Sequence, residues 1–450
     1  MFYTNAMLQG LKMDLDDFDT FRIATCDLNG QMRGKRMPQK DLGKLASGDL
    51  RMPLSALNVD IWGADIANSP LLFASGDGDG YLLPTNRGPV PMPWLDQPSA
   101  LVGMWMFEED GRPFEGDPRH ALARILDRYA ARGWQVVAAT ELEFYLIDDS
   151  SESLRPPKDP TSNRKIKSSA ILSLQQLDAF EAFFSELYQS CAQMGIDAQA
   201  ASSEAGIGQF EISLQHGDAL RIADDTWLFK TLLKSLARKH NNAASFMAKP
   251  YPNDAGNGLH LHFSVLDEAG ENIFDDGTKQ GSPLLQNAVA GCLATMRAAT
   301  LGFAPHANSY ARMDPENHAP TSICWGYENR TAALRIPAGA PIARRIEHRV
   351  AGGDINPFLT LSLILGAALL GIEDDLTPPL PITGNAYSQN LPQLIHSWAD
   401  AIDMFENDPM VARILPAQLI ENFSLTKRQE LDGLKNIPQE EHWKTYLETV

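Results

Sequence analysis

The chain has 450 residues, 44% hydrophobic and 21% charged, with a formal net charge of −19. That length exceeds one ordinary domain and suits two unequal ones with a large buried core. The acidic balance argues against a nucleic-acid backbone or an anionic membrane surface as the main partner.

The opening MFYTNAMLQGLKMDLDDFD lacks a basic stretch followed by an apolar one, so a cytoplasmic protein is expected. Cys26, Cys191, Cys292 and Cys324 lie far apart and form no CxxC pair, which fits a reducing compartment without a disulfide framework or zinc cluster. Residues 20–105 read as short strands and turns. FRIATCDLNGQMRGKRM is a hairpin folded at Asn29-Gly30, and ASGDGDGYLLP is a loop. A polar, Gly/Pro-rich stretch near 106–117 marks a boundary, giving domains 1–108 and 109–450. Asp117 as N-cap and Pro118 at the first helical position open a helix closed by Gly133; further helices are expected over 174–194 and 222–240. The stretch INPFLTLSLILGAALLGI, 355–372, approaches the length of a membrane span. It carries Asn356, Pro357, Thr360 and Ser362 between acidic flanks, so a buried core helix is expected. Strands with period-two alternation between the helices predict an α+β fold, helices packed on an antiparallel sheet.

Five strand segments carry chemically loaded residues on the i, i+2 spacing that points side chains to one face. ATELEFYLI brings Glu141 and Glu143 together. SSEAGIGQFEISL offers Gln209, Glu211 and Ser213 after Glu204, and NGLHLHFSVL aligns His260, His262 and Ser264. NRTAALRIP supplies Arg330 and Arg335, and RRIEHRV aligns Arg345, Glu347 and Arg349. One such segment is usually a solvated strand face. Five of them, filled almost entirely with carboxylate, imidazole and guanidinium, point to a common site. Glu141, Glu143, Glu204, Glu211 and Glu347 crowded together require cations, and oxygen ligands with one imidazole suit Mg²⁺ or Mn²⁺. Arginines beside such ligands suit the phosphates of ATP. No GxxxxGK[ST] loop is present, which excludes a P-loop enzyme.

The E-x-E-F strand, the GQFE segment, the GNGLHLHFS strand, NSYARMDPENHAP, WGYENRTAALRIP and ARRIEHRVAGGDINPFL occur in an order that resembles the glutamine synthetase family over most of the chain. The resemblance implies a small N-terminal β-grasp domain and a larger catalytic domain with a curved antiparallel sheet. It also implies a homododecamer of two stacked hexameric rings, with each site completed by the neighbour's N-terminal domain. Carried over by position, Glu143, Glu204 and Glu211 would hold one metal and Glu141, His260 and Glu347 another, with two to three ions per site. His262, Ser264, Arg330, Arg335 and Arg345 would attend the nucleotide, with Arg330 and Arg335 also catalytic. Gly256, Arg312 and Arg349 would hold L-glutamate. The implied reaction is ATP-dependent: the γ-carboxylate becomes a γ-glutamyl phosphate, which an amine then displaces.

Two positions depart from ammonia-using members. His318 precedes Ala319-Pro320 where those members carry a flap glutamate, and Ala255 stands where they carry asparagine. The sequence resembles most closely the γ-glutamylpolyamine branch, with a primary amine such as putrescine as acceptor. Asp60, Trp62 and His318 are the candidates for the amine pocket, with Asp60 and His318 also counted as catalytic. Ammonia, methylamine or ethanolamine as acceptor, or a catalytically silent relative, are the competing readings.

Overall fold

Residues 17–72, 75–315 and 319–450 are described by a computed structural model. Alternation in the first strand already sets the architecture. In β1 (Thr20–Cys26), Phe21 and Ile23 face one core while Ala24 and Cys26 face another. β1 folds back on β2 (Met32–Pro38) through the predicted turn, where Gly30 takes φ +80° and its amide donates to the Asp27 carbonyl. Helix α1 (Leu42–Ser47), β3 (Arg51–Pro53), β4 (Asp79–Pro91) and β5 (Ser99–Phe107) complete a five-stranded sheet of order β2-β1-β5-β4-β3, with β1 and β5 parallel. Ala100, Val102, Met104 and Met106 of β5 join Phe21 and Ile23 in a core of their own, whereas Leu101 packs into the main one.

α2 (Pro118–Ala130) begins as expected, the Asp117 carboxylate accepting from the Arg119 amide. β6 (Gln135–Ile147) is the spine of the second sheet. The expected single helix over 174–194 is two: α3 (Leu174–Ala179) stops at Phe180, and α4 (Glu181–Met194) restarts there. Phe180 is drawn into an aromatic cluster, 5.3 Å from the Phe210 ring, which outweighs helix continuity. There follow β7 (Ala198–Ser203), β8 (Gln209–Asp218), α5 (Ala219–Lys239, capped by Asp218), β9 (Ala243–Ser245), β10 (Leu259–Leu266), α6 (Pro283–Met296) and α7 (Ala307–Arg312). Then come β11 (Trp325–Tyr327), β12 (Leu334–Ile336), β13 (Ile346–His348), α8 (Pro357–Glu373) and α9 (Ala417–Leu434). The sheet order is β11-β12-β13-β10-β6-β8-β7, with β9 also on β6. It is antiparallel apart from the β11–β12 pair. This is the α+β architecture the sequence predicts, helices packed on a largely antiparallel sheet.

α8 is the expected core helix: Asn356 caps it and every residue from Pro357 to Gly371 is buried. Among the described residues no helix is long and apolar enough to cross a membrane. The two sheets are joined by buried polar contacts. Arg119 grips Asp224 with two bonds of 2.9 and 2.8 Å while its guanidinium lies 3.7 Å over the Trp105 ring. Asn29, at the β1–β2 turn, reaches Glu430 and Lys427 on α9.

Candidate active site

Strand register, more than any loop, assembles the site. Directly opposed residues on neighbouring strands sit about 5 Å apart at Cβ, and three successive rows align loaded side chains. In the first row Arg335 of β12 faces Glu347 of β13, which faces His262 of β10. In the second His260 of β10 faces Glu141 of β6, which faces Ser213 of β8. In the third Glu143 of β6 faces Glu211 of β8, which faces Ser202 of β7. The alternate residues Leu142, Phe144, Leu261 and Ile212 are buried on the opposite side, so one face is apolar core and the other is the site.

Ligand atoms of Glu141, His260 and Glu347 lie within 4.8 Å of one another, as do those of Glu143, Glu211 and His260. Each group is a fit for a divalent cation on its donor chemistry. His260 belongs to both sets. Glu204 belongs to neither at that spacing; its Oε1 accepts from Ser202 Oγ at 3.0 Å. The charge state of the face carries the same message. Burial, reinforced by the Glu141, Glu143 and Glu204 charges, pushes the Glu211 carboxyl up to about 9. Burial and then Glu143 push Glu204 up to about 7. Burial works against ionising Glu141 too, but hydrogen bonds from His260 and His262 hold it far below the usual carboxylate range. Burial likewise opposes Glu347, and His260, Arg349, His262 and Arg335 together keep it low. So Glu141 and Glu347 are kept ionised by cationic partners within the face, while burial and like charge outweigh Arg330 and Arg349 at Glu204 and Glu211.

Arg335 Nη1 lies 2.9 Å from Glu347 Oε2 and Arg349 Nη1 bonds Glu347 Oε1, so one carboxylate bridges both arginines. The Arg335 N–H does not aim at that oxygen, which has no hydrogen-bond partner among the described residues, so the contact is ionic. His262 accepts from Arg345 Nε on Nδ1 at 3.2 Å; its proton is therefore on Nε2, 3.1 Å from Glu141 Oε1. Ser264 follows two residues along the same strand face. Arg330 is on no strand: it is exposed in the turn after β11, although its charge acts on Glu204 and Arg335.

Arg312, the last residue of α7, is buried and donates from Nη1 to the Val350 carbonyl at 2.8 Å. It runs so close to the 256–258 loop that a Cβ on Gly256 would meet its Cγ at 2.8 Å, and one on Gly258 its Nη2 at 2.8 Å. The Gly258 amide donates to Glu143 Oε2 at 2.6 Å. Gly256 and Arg312 thus border the Glu143 end of the face, and Arg349 meets it at Glu347. Two residues brace this end of the face, Gln209, already placed on it by the sequence, and Tyr145, which was not. Gln209, on the loaded face, is a buried strut whose Nε2 donates at 3.0 Å to Gly256 O and Asn257 Oδ1. Tyr145, two residues beyond Glu143, donates to Ala255 O at 2.8 Å. Its parity with Glu141 and Glu143 was the available signal.

The candidates for the amine pocket fare differently. His318 lies outside the described residues. Asp60 is buried, and its carboxylate serves its own turn: Oδ1 accepts from the Trp62 and Ala64 amides at 3.0 and 2.9 Å, and Oδ2 from Gln429 Nε2 at 2.8 Å. None of these partners belongs to the metal face. Trp62 is 43% exposed, resting beside Gly433 at the end of α9.

Residues 115–446 match the family "Glutamine synthetase, catalytic domain". The chain is 36% identical over 414 residues to the gamma-glutamylputrescine synthetase PuuA of Escherichia coli K12, covering 91% of this chain and 87% of that one. It is 31% identical to the glutamate–isopropylamine ligase of a Pseudomonas species, covering 96% of both. The structure of the GmaS–ADP complex superposes with a TM-score of 0.82 at 26% identity, over 99% of this chain and 100% of that one. A three-row carboxylate, histidine and arginine face on this sheet, with matches of that extent, makes the chain a member of the glutamine synthetase family.

Proposed function

We propose that the protein is an ATP- and divalent-metal-dependent ligase that joins a primary amine to the γ-carboxylate of L-glutamate, releasing ADP and phosphate. One observation carries this reading: two overlapping metal-ligand groups sharing His260, beside two arginines on Glu347. Bound Mg²⁺ or Mn²⁺ would supply charge neutralisation of phosphoryl oxygens. Glu141, His260 and Glu347 would hold one ion, and Glu143, Glu211 and Glu204 another. Arg335 and Arg330 would receive the charge developing on the transferred phosphoryl group, and His262, Ser264 and Arg345 would border the nucleotide. Arg312, Arg349 and the backbone at Gly256 would orient glutamate so that its γ-carboxylate attacks the terminal phosphate. The amine then attacks the resulting γ-glutamyl phosphate and phosphate leaves.

An organic amine, putrescine or another alkylamine, is the acceptor we favour over ammonia, because the relative named for putrescine is 36% identical, against 30% for a glutamine synthetase that matches over the whole chain. Residues 1–108 would act as the β-grasp domain and 109–450 as the catalytic domain of a cytoplasmic dodecamer. Trp62, exposed beside Asp60, and His318 would line the amine pocket across a subunit boundary. The test is phosphate release across a panel of amines, with product masses. A γ-glutamylamide formed from putrescine or an alkylamine at concentrations where ammonia gives little glutamine supports the reading. Ammonia outcompeting every organic amine would replace it with a glutamine synthetase.

A further inference from the structure

On the apolar side of the catalytic sheet, opposite the metal face, α5 carries a second concentration of charge. The side is fixed by Thr140 of β6, whose Oγ1 is 3.0 Å from Thr226 Oγ1 on α5, while Glu141 and Glu143 point the other way. A cavity of about 320 Å³ opens between α5, the 30–32 turn of the first hairpin and the last residues of the chain. That volume suits a small ligand. Lys230, Lys234 and Arg238 line it at successive i, i+4 positions, joined by Thr231 and Ser235; Glu448 is the one carboxylate in its wall.

Two of these three cations lack a carboxylate partner. Arg238 is satisfied: Nη1 reaches Asp149 Oδ2 at 2.7 Å and Nη2 takes the Glu448 carboxylate. The two ammonium groups are not. Among the described residues Lys230 Nζ donates to the carbonyls of Gly353 and Ile355 at 2.8 and 3.3 Å, and Lys234 Nζ to the Glu448 carbonyl at 3.4 Å. Asp354 acts on Lys230 only at longer range, its Oδ2 taken by Ser309. Like charges four apart on a helix destabilise it. Burial and then the Lys230 charge pull Lys234 down to about 7, and burial brings Lys230 to about 8. In a chain of net charge −19, two neighbouring lysines whose hydrogen-bond partners are carbonyls, Lys230 also lying 5.0 Å from the Phe246 ring, form a receptor for negative charge.

We propose that this cavity is a second ligand site, separate from the active site, which takes a small multiply charged oxyanion: a phosphate group or a compact polycarboxylate. Lys230 and Lys234 supply the charge, Thr231 and Ser235 hydroxyl donors, and the 30–32 turn the opposite wall.

The test is calorimetric titration of the full-length, magnesium-free protein with inorganic phosphate and, separately, with citrate. Arg335→Gln serves as the control for anions entering the active site. Wild type and Arg335→Gln are expected to bind with equal affinity. Lys234→Gln is expected to weaken binding about tenfold, the worth of one charge-assisted hydrogen bond, and Lys234→Arg to restore it. Phosphate binding without citrate binding assigns the site to phosphate-bearing ligands, and the reverse to polycarboxylates. Absence of saturable binding to wild type overturns the proposal. So does loss in Arg335→Gln with retention in Lys234→Gln, or equal loss in both. Melting in anion-free buffer reports folding of each variant, and Arg238→Gln repeats the test at the outer end of the same helix face.

Discussion

Glu211 concentrates the physical tension of the metal face in one carboxyl group. It is pushed from an ordinary 4.5 to about 9, and Glu204 to about 7, by burial among like charges. The folded chain therefore binds more protons than the unfolded chain between these limits. Stability from this source is complete below about pH 4.5 and is lost as pH rises through 7 and then 9. Cation binding needs both groups ionised, so it strengthens with rising pH and releases protons. Melting in a chelator should fall between pH 6 and pH 9, and excess Mg²⁺ should flatten that slope; an unchanged slope with Mg²⁺ contradicts the ligand assignment. Glu211→Gln should raise the chelated protein's melting temperature at pH 9. The same change should cut Mg²⁺-dependent turnover by about 100-fold or more, as loss of several kcal/mol of metal-assisted stabilisation implies.

Residue type and parity made this much legible in the sequence. Glutamates two apart share a strand face wherever the strand goes, so the carboxylates of this face could be named without the fold. What Asp60 does could not be read: its carboxylate is bonded by Gln429, 369 residues away, and only the folded contact between the first domain and α9 reveals that its oxygens are occupied.

Elements, in turn, convert parity into proximity. β13 is three residues long, and nothing local sets which of its residues opposes which partner. Its pairing of Glu347 with both His262 and Arg335 follows from neighbours far along the chain, so the joint role of Arg335 and Arg349 on one carboxylate was invisible beforehand. The split of the 174–194 helix at Phe180 has the same origin, a tertiary contact overriding local propensity. The 256–258 loop gives this scale its test. A Cβ at Gly258 would press on Arg312 Nη2 at 2.8 Å and on His260 Nε2 at 3.4 Å, both at the ends of side chains. Gly258→Ala should therefore fold, with thermal stability little changed. Its KM for glutamate should rise by roughly tenfold or more, since ångström displacements at a reacting site are that costly. An unchanged KM would remove Arg312 from the glutamate site.

At the scale of the whole molecule, the five-stranded sheet and the larger second sheet are held as one unit by charge buried at their junction. Lys427 and Glu430 of α9 are essentially inaccessible, 2.8 Å apart, and both bond Asn29 of the first hairpin. Removing one partner leaves the other charge buried and uncompensated, at a cost of about 3–5 kcal/mol. Lys427→Met should thus lower stability far more than the paired change Lys427→Met with Glu430→Leu, as denaturant titration would show. Equal losses would mean that packing, not the ion pair, joins the domains. The junction between the two sheets was not legible in the sequence, because Asn29 and Glu430 are 401 positions apart.

On the proposed reading, the face of carboxylates, histidines and arginines makes a carboxylate oxygen of glutamate attack a phosphate. The most direct measurement is oxygen transfer: supply glutamate labelled with ¹⁸O in its γ-carboxylate, with ATP, Mg²⁺ and an amine, and weigh the phosphate released. One ¹⁸O per phosphate is expected, because the γ-oxygen leaves with the phosphoryl group when the amine displaces it. Phosphate released without label, or none released in the presence of glutamate and any amine, would contradict the account.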